Sequence, residues 1–299
     1  MTDFDGFGID GNLAVFEELM ALLKTGQAVG FVGAGASMPL YPSWAGLIET
    51  LADRAVATRK ADARKRDFWC RKALEKPDKI AQQIRNALDP GEYAELMRTQ
   101  FAPKQGSDGR RFTPVHARLM SLPFQGFVTT NYDPGLEEAC REVRPDRRAV
   151  PFTWSDDRVK LWWREAPADD RELPILQAHG RYDDVESLVL CVADYREIYG
   201  NAEPYGELGH LFTRERLVFV GFGFSDPWVT SFADRVATLS GIREALGPRH
   251  VAVLGLPEED LDDADLHAED LEESLRARVL FYPVRTVSTD DGARADHSA

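Results

Sequence analysis

Ala28-Val29-Gly30-Phe31-Val32-Gly33-Ala34-Gly35-Ala36-Ser37 is a short apolar run that passes at once into glycines. Runs of this kind form strands buried on both faces. Upstream, apolar residues at helical spacing over 13–23 (Leu13, Phe16, Leu19, Met20, Leu23) predict a helix that Thr25-Gly26 stops. Downstream, Ser43-Trp44 opens a second helical pattern through Leu47, Ile48 and Leu51. Helix, strand, glycine turn, helix is the opening of a doubly wound nucleotide-binding domain. Glycines at such a turn let the backbone approach a pyrophosphate, and free N–H groups at a helix start attract anions. Gly33, Ala34, Gly35 and Ser37 are therefore candidate phosphate-binding residues. The turn lacks full G-x-G-x-x-G spacing, so it also reads as a strand-to-helix corner without a ligand.

Working outward, strand patterns recur at 126–130, 174–178, 188–191, 217–221, 251–254 and 279–282. Helical patterns follow Asp133, Asp194, Pro204 and Pro227. Residues 52–122 are helical in pattern and strongly charged, and read as an inserted helical module. The expected architecture is α/β and Rossmann-like, doubly wound around a mainly parallel sheet. It is expected to form a single domain over 1–299, with an acidic surface segment at 256–276.

The net charge of −14 is unevenly spread, because residues 258–273 hold ten Asp or Glu and no Lys or Arg. Without that run the chain carries only about −4, an ordinary soluble surface. Non-specific binding to a phosphate backbone needs clustered cations, which disfavours nucleic acid as a direct partner. Residues 54–72 hold eight Lys or Arg and two Asp around Phe68 and Trp69, which reads as a solvated helix face or a docking surface. Cys70, Cys140 and Cys191 are scattered, with no C-x-x-C pair, as expected of a reducing compartment. The N-terminus has no basic and apolar leader pattern, and no apolar stretch reaches membrane-spanning length, so a cytoplasmic location is expected.

Three further strand ends carry candidate chemistry. Thr130-Asn131-Tyr132-Asp133-Pro134 follows an apolar strand, and ligands of open α/β sheets bind beyond such carboxyl ends. Asp133 before Pro134 also suits a helix cap, and Asn131 a turn. His179-Gly180 ends another strand, where a histidine can serve as a base or simply hydrogen-bond locally. The remaining strand end, Gly221-Phe222-Gly223-Phe224-Ser225-Asp226, precedes Pro227; Ser225 or Asp226 suits a helix cap, and the glycines would admit an adenosine group.

In this order, 33–37, 130–133, His179-Gly180 and 221–226 resemble the motifs of the sirtuin-like family, over residues 26 to 255. The likeness runs to the branch found in bacterial antiphage defence, which destroys cellular NAD and so aborts infection. The stretch 188–199, with Ala193-Asp194-Tyr195, is similar to that branch as well. The resemblance implies that Asn131 and His179 are catalytic and that Gly33, Ala34, Gly35 and Ser37 form the phosphate loop. It further implies NAD contacts at Asp133, Gly221, Ser225 and Asp226, the last two towards the adenosine end. NAD is then a substrate, and no metal is expected: deacetylating sirtuins carry a four-cysteine zinc ribbon that three scattered cysteines cannot build. The chain reaches residue 299 with no evident sensor domain, so the resemblance implies a separate activator; self-assembly is expected as well, because an unregulated NAD hydrolase would be toxic and assembly is a common gate. A ring-forming ATPase of the HerA type or a short prokaryotic Argonaute would be such a partner. Two other functions remain open: NAD-dependent lysine deacylation, and a module that binds NAD or ADP-ribose without cleaving it. A dehydrogenase is disfavoured, because no acidic residue occupies the expected strand position after the glycine loop.

Overall fold

Every residue of strand β1, Ala28–Val32, is buried, so the strand has no solvent face and needs the unbroken apolar run its sequence supplies. The computed structural model describes residues 4–157, 169–222, 248–289 and 292–296. Helix α1, Asn12–Lys24, precedes β1 and closes with Thr25 N donating to Leu22 O. Past Val32 come Gly33 in extended conformation and a 3-10 turn, Ala34–Ser37. Helix α2, Trp44–Ala57, follows, and Ser43 Oγ caps it by accepting from Gly46 N at 3.2 Å. That bond satisfies one of the N–H groups a helix start leaves unpaired.

The chain divides into two compact units: Met1–Phe31 with Pro123–Gln125 and Leu211–Ala299, and Val32–Leu122 with Gly126–His210. The second unit holds β2 (Gly126–Thr129), β3 (Arg148–Phe152) and β4 (Glu172–Gln177) in the order β3-β4-β2, with both pairings parallel. Between α2 and β2 lie α3 (Ala63–Ala73), α4 (Pro77–Ala87), α5 (Pro90–Phe101) and α6 (Pro114–Ser121). Helix α7 (Gly135–Val143) connects β2 to β3, and α8 (Val192–Tyr199) and α9 (Ala202–Arg214) follow β4. The helical stretch shares one core with the strand-end segments: Leu51, Trp69, Ile84, Met97 and Phe101 pack with Tyr132, Leu190 and Cys191. Basic α3 turns Arg64, Lys65 and Arg71 to solvent but buries Trp69 completely, with Nε1 donating to Gln83 Oε1 at 3.1 Å.

In the first unit the strands follow the order β1-β5-β6-β7-β8, with β5 Arg216–Val220, β6 His250–Pro257, β7 Ala277–Thr289 and β8 Gly292–Asp296. The β5/β6 and β6/β7 pairs are parallel, and β7/β8 is antiparallel. The architecture is thus Rossmann-like α/β with mainly parallel strands, as the sequence indicates. The acidic run forms a 3-10 turn, Glu258–Asp263, and helix α10, Ala264–Leu275.

Three local readings differ from the structure or fall outside it. Residues 188–191 are apolar and buried but form no strand. Their N–H groups go elsewhere, Leu190 and Cys191 donating to the Asp194 carboxylate and Val189 to His179 O, so no ladder is left to form. β3 escapes the apolar pattern because its first residues are partly exposed. The helix expected after Pro227 lies outside the described residues.

His250, at the start of β6, is fully enclosed by the first unit. Its Nδ1 accepts from Leu217 N at 3.2 Å, and the rings of Phe212 and Phe219 lie 5.8 and 6.1 Å away. Burial, and then the charge of Arg249, push its imidazole down to about 3. The unfolded chain protonates this group near its ordinary value of about 6.5. The stability it contributes is complete above that value and drains as pH falls toward the folded value. The slope is at most about 1.4 kcal/mol per pH unit. Urea unfolding followed from pH 7 to pH 4 should show this loss. His250→Asn, which keeps an acceptor for Leu217 N, should flatten it; an unchanged slope would assign the loss to other groups.

Candidate active site

β2 ends at Thr129, whose Oγ1 donates to Val32 O at 2.8 Å and accepts from Asn131 N at 3.0 Å. Thr130 N also donates to Val32 O, at 3.3 Å, so the end of β2 is tied to the residue before the glycine turn. Asn131 then reaches across. Its Nδ2 donates to Gly33 O at 3.0 Å and to Ser37 Oγ at 2.8 Å. A carbonyl only accepts, so the amide must present its nitrogen to the loop and turn Oδ1 away. Among the described residues no donor meets Oδ1. Asn131 is 8% exposed. The amide thus has its nitrogen end fixed and its oxygen left as an acceptor.

Ser37 has a second partner that the sequence reading assigned no such place. His116 Nε2 lies 3.4 Å from Ser37 Oγ, and its Nδ1 faces Thr113 N at 3.3 Å. A backbone N–H only donates, so Nδ1 is the acceptor and the ring proton sits on Nε2. Burial holds this imidazole below its ordinary range, against the pull of Asp133, which keeps the ring neutral. Ser37 Oγ thus accepts from both Asn131 and His116, and its own proton is left to donate. Thr113 Oγ1 donates to Ala36 O at 2.6 Å, pinning the glycine turn to the start of α6. The local signal for His116 was its position three residues into a Thr-Pro helix start, which reads as capping alone.

Asp133 lies one residue before the N-cap, which is Pro134 and not Asp133 as its sequence suggests, but its Oδ1 still accepts from Gly135 N at 2.9 Å at the start of α7. It also borders a narrow cleft with His116, Asn131 and Glu137. Gly135 is required beside it, since a Cβ there would sit 2.4 Å from His116 Cε1 and 2.8 Å from Asp133 Oδ1. Lys104 stands in the field of this carboxylate, which raises its ammonium while burial, the larger effect, lowers it.

His179 lies beyond β4, the strand beside β2. Ala178 N donates to Thr129 O at 2.8 Å and Tyr182 N to Tyr132 O at 3.1 Å, so 129–132 and 178–182 run side by side. The imidazole is 2% exposed, against the rings of Tyr195 at 5.4 Å and Tyr199 at 6.2 Å. Ala178 O, just before it, accepts from Trp154 Nε1 at 2.7 Å and Tyr199 OH at 3.2 Å. Gly180 then turns the chain with φ +85°. Asn131, Ser37, Asp133 and His179 therefore belong to one unit and cluster at its strand ends. Gly221 follows β5 in the other unit with φ +66°, a left-handed conformation that glycine adopts without strain. Ser225 and Asp226 lie outside the described residues. Among the described residues no group of three His, Cys, Asp or Glu side chains is arranged to hold a metal ion.

The three curated relatives described next all carry the name NAD(+) hydrolase ThsA. The protein from Bacillus cereus (strain MSX-D12) is 25% identical over 262 residues, 85% of this chain and 48% of its own. That from Enterococcus faecium is 26% identical over 211 residues, 69% of this chain and 39% of its own. That from Cytobacillus dafuensis is 25% identical over 237 residues, 78% of this chain and 42% of its own. The chain thus spans about half the length of these relatives or less. A SIR2-like domain family model matches residues 125–280, which hold β2 to β6, Asn131 and His179. With more than half of its residues matched, this chain belongs to the SIR2-like domain family.

Proposed function

We propose that this protein hydrolyses NAD, cleaving the bond between nicotinamide and ribose to release nicotinamide and ADP-ribose. The observation that carries this reading is the fixed amide of Asn131, held by Gly33 O and Ser37 Oγ with its oxygen turned outward. The name NAD(+) hydrolase on three relatives supports the same reaction. The leaving pyridinium departs as a neutral molecule, so the reaction needs no strong acid of the kind paired-carboxylate glycosidases use. Positive charge develops on the ribose instead. In the proposed reaction, Asn131 Oδ1 accepts from a ribose hydroxyl or from the attacking water, and His179 takes the proton that this oxygen loses. Gly33, Ala34, Gly35 and the Ser37 hydroxyl hold the phosphates, and Asp133 keeps the Asn131 segment and α7 in register. Gly221, Ser225 and Asp226 would contact the adenosine end. Positioning of this kind can supply several kcal/mol of the barrier.

In the cell the proposed role is that of a cytoplasmic effector of antiphage defence, harmful when active and so gated by self-assembly or by a separate protein. A HerA-type ATPase or a short Argonaute is the kind of activator that fits. The test is release of nicotinamide and ADP-ribose from NAD by purified protein, alone and with the product of the adjacent gene. Release without any acyl-peptide supports hydrolysis. Release only with an acyl-lysine peptide would convert the reading to deacylation. Calorimetric binding of NAD with no release under either condition would make the chain a binding module.

A further inference from the structure

The segment that follows the His179 turn is held from two sides. On one side Val189 N donates to His179 O at 2.9 Å, and Val189 O accepts from Tyr132 OH at 2.8 Å. One residue therefore ties the two strand-end motifs together. A little further on, Tyr195 lays its ring against the imidazole itself. On the other side the segment is gripped by α4. Arg85 Nη1 pairs with Asp194 Oδ1 at 2.5 Å, and Ala193 N donates to Gln82 Oε1 at 3.1 Å. Asp194 Oδ2 meanwhile accepts from Leu190 N at 3.1 Å and Cys191 N at 2.8 Å, which sets the start of α8.

Asp194 is largely withdrawn from water at 8% exposed, whereas the Arg85 side chain keeps 35% of its surface exposed. A charge pair in such a place adds little net stability over apolar packing, because desolvation offsets the attraction. What it adds is direction, since charge-assisted hydrogen bonds fix relative position more narrowly than apolar contact does. Asp194 joins Arg85, through Oδ1, to the backbone of Leu190 and Cys191, through Oδ2, and Tyr195 is the next in sequence. The helix bearing Arg85 lies about a hundred residues earlier in the chain.

We propose that Arg85 and Gln82 are positioning residues, which set the His179 imidazole through Asp194 and the segment 188–195. The arrangement rests on the reading of His179 as the base. It also makes α4 a place from which movement reaches the site: any event that shifts this helix by a fraction of an ångström shifts Val189 and Tyr195 with it.

The experiment compares wild type with Arg85→Gln, Arg85→Lys and Gln82→Leu, all as the full chain. Nicotinamide release from NAD gives kcat and KM, long-range proton–nitrogen spectra report the histidine imidazoles, and His179→Asn assigns the His179 signal. Arg85→Gln is expected to lower kcat about tenfold with KM changed less than about twofold, and to move the His179 resonances. Arg85→Lys, which keeps the charge, is expected to recover most of both, and Gln82→Leu to give a smaller shift in the same direction. Arg85→Gln that melts cooperatively with kcat and the His179 resonances unchanged overturns the proposal. So does a loss that appears only in KM or in melting temperature. If Arg85→Gln does not fold, Gln82→Leu is read by the same criteria. If wild type releases no nicotinamide under any condition, the hydrolase reading fails on that result alone, and the His179 resonances still decide whether α4 sets the imidazole.

Discussion

His179→Ala should lower nicotinamide release about a thousandfold while the protein still unfolds cooperatively, because a positioned base contributes on the order of 10²–10⁴. KM for NAD should change little, since the imidazole is assigned to the reacting water or hydroxyl and not to the phosphates. Asn131→Ala should cost at least about a hundredfold for a different reason. It removes the acceptor and also releases Gly33 O and Ser37 Oγ, both held by Nδ2. Asn131→Asp separates the two effects. It retains an oxygen for the ribose but sets a carboxylate against the Gly33 carbonyl, so the loop should loosen and KM should rise. Steady-state release of nicotinamide, with circular dichroism as the control for folding, reads all three variants. Wild-type rates in both alanine variants would remove these residues from the chemistry.

Gly180→Ala is expected to be among the most destabilising single substitutions in the protein. The residue has φ +85°, and a Cβ would lie 2.2 Å from Ser187 O and 2.4 Å from Ser187 C, which are backbone atoms. They cannot retreat freely, because Arg181 N donates to Ser187 Oγ at 3.0 Å and Val189 N to His179 O at 2.9 Å. Left-handed strain and overlap with fixed backbone together should cost about 3–5 kcal/mol. The urea midpoint measures this directly. The same substitution should remove activity even where the fold survives, since the turn carries His179. A midpoint within about 0.5 kcal/mol of wild type would mean that the turn opens at almost no cost.

Much of the site was legible because its parts are local. A buried strand must be apolar throughout, and the glycines after it mark a turn, so 28–37 read correctly as strand and turn. Ser43 and Asp133 likewise announced helix starts, because a capping oxygen acts within three residues of its own position. Strand-end placement of Asn131 and His179 followed from the same reasoning, each lying just beyond an apolar run. β3 was missed because it alternates and is partly exposed. The reading of 188–191 as a strand failed because apolar pattern reports burial, whereas strand identity depends on which acceptors stand opposite the N–H groups.

Sequence alone therefore determined the α/β class, the order of the principal elements and the strand ends on which the candidate chemistry sits. Those are consequences of periodicity and of turn residues acting on near neighbours. Tertiary structure alone decided which distant residues complete the site. His116 meets Ser37 across 79 residues of chain and Arg85 meets Asp194 across 109, and neither partner carries a mark of the other. Folding brings them together through the packing of α4 and α6 beside the strand ends. The tautomer of a histidine or the orientation of an amide then follows from whatever donor or acceptor that packing delivers.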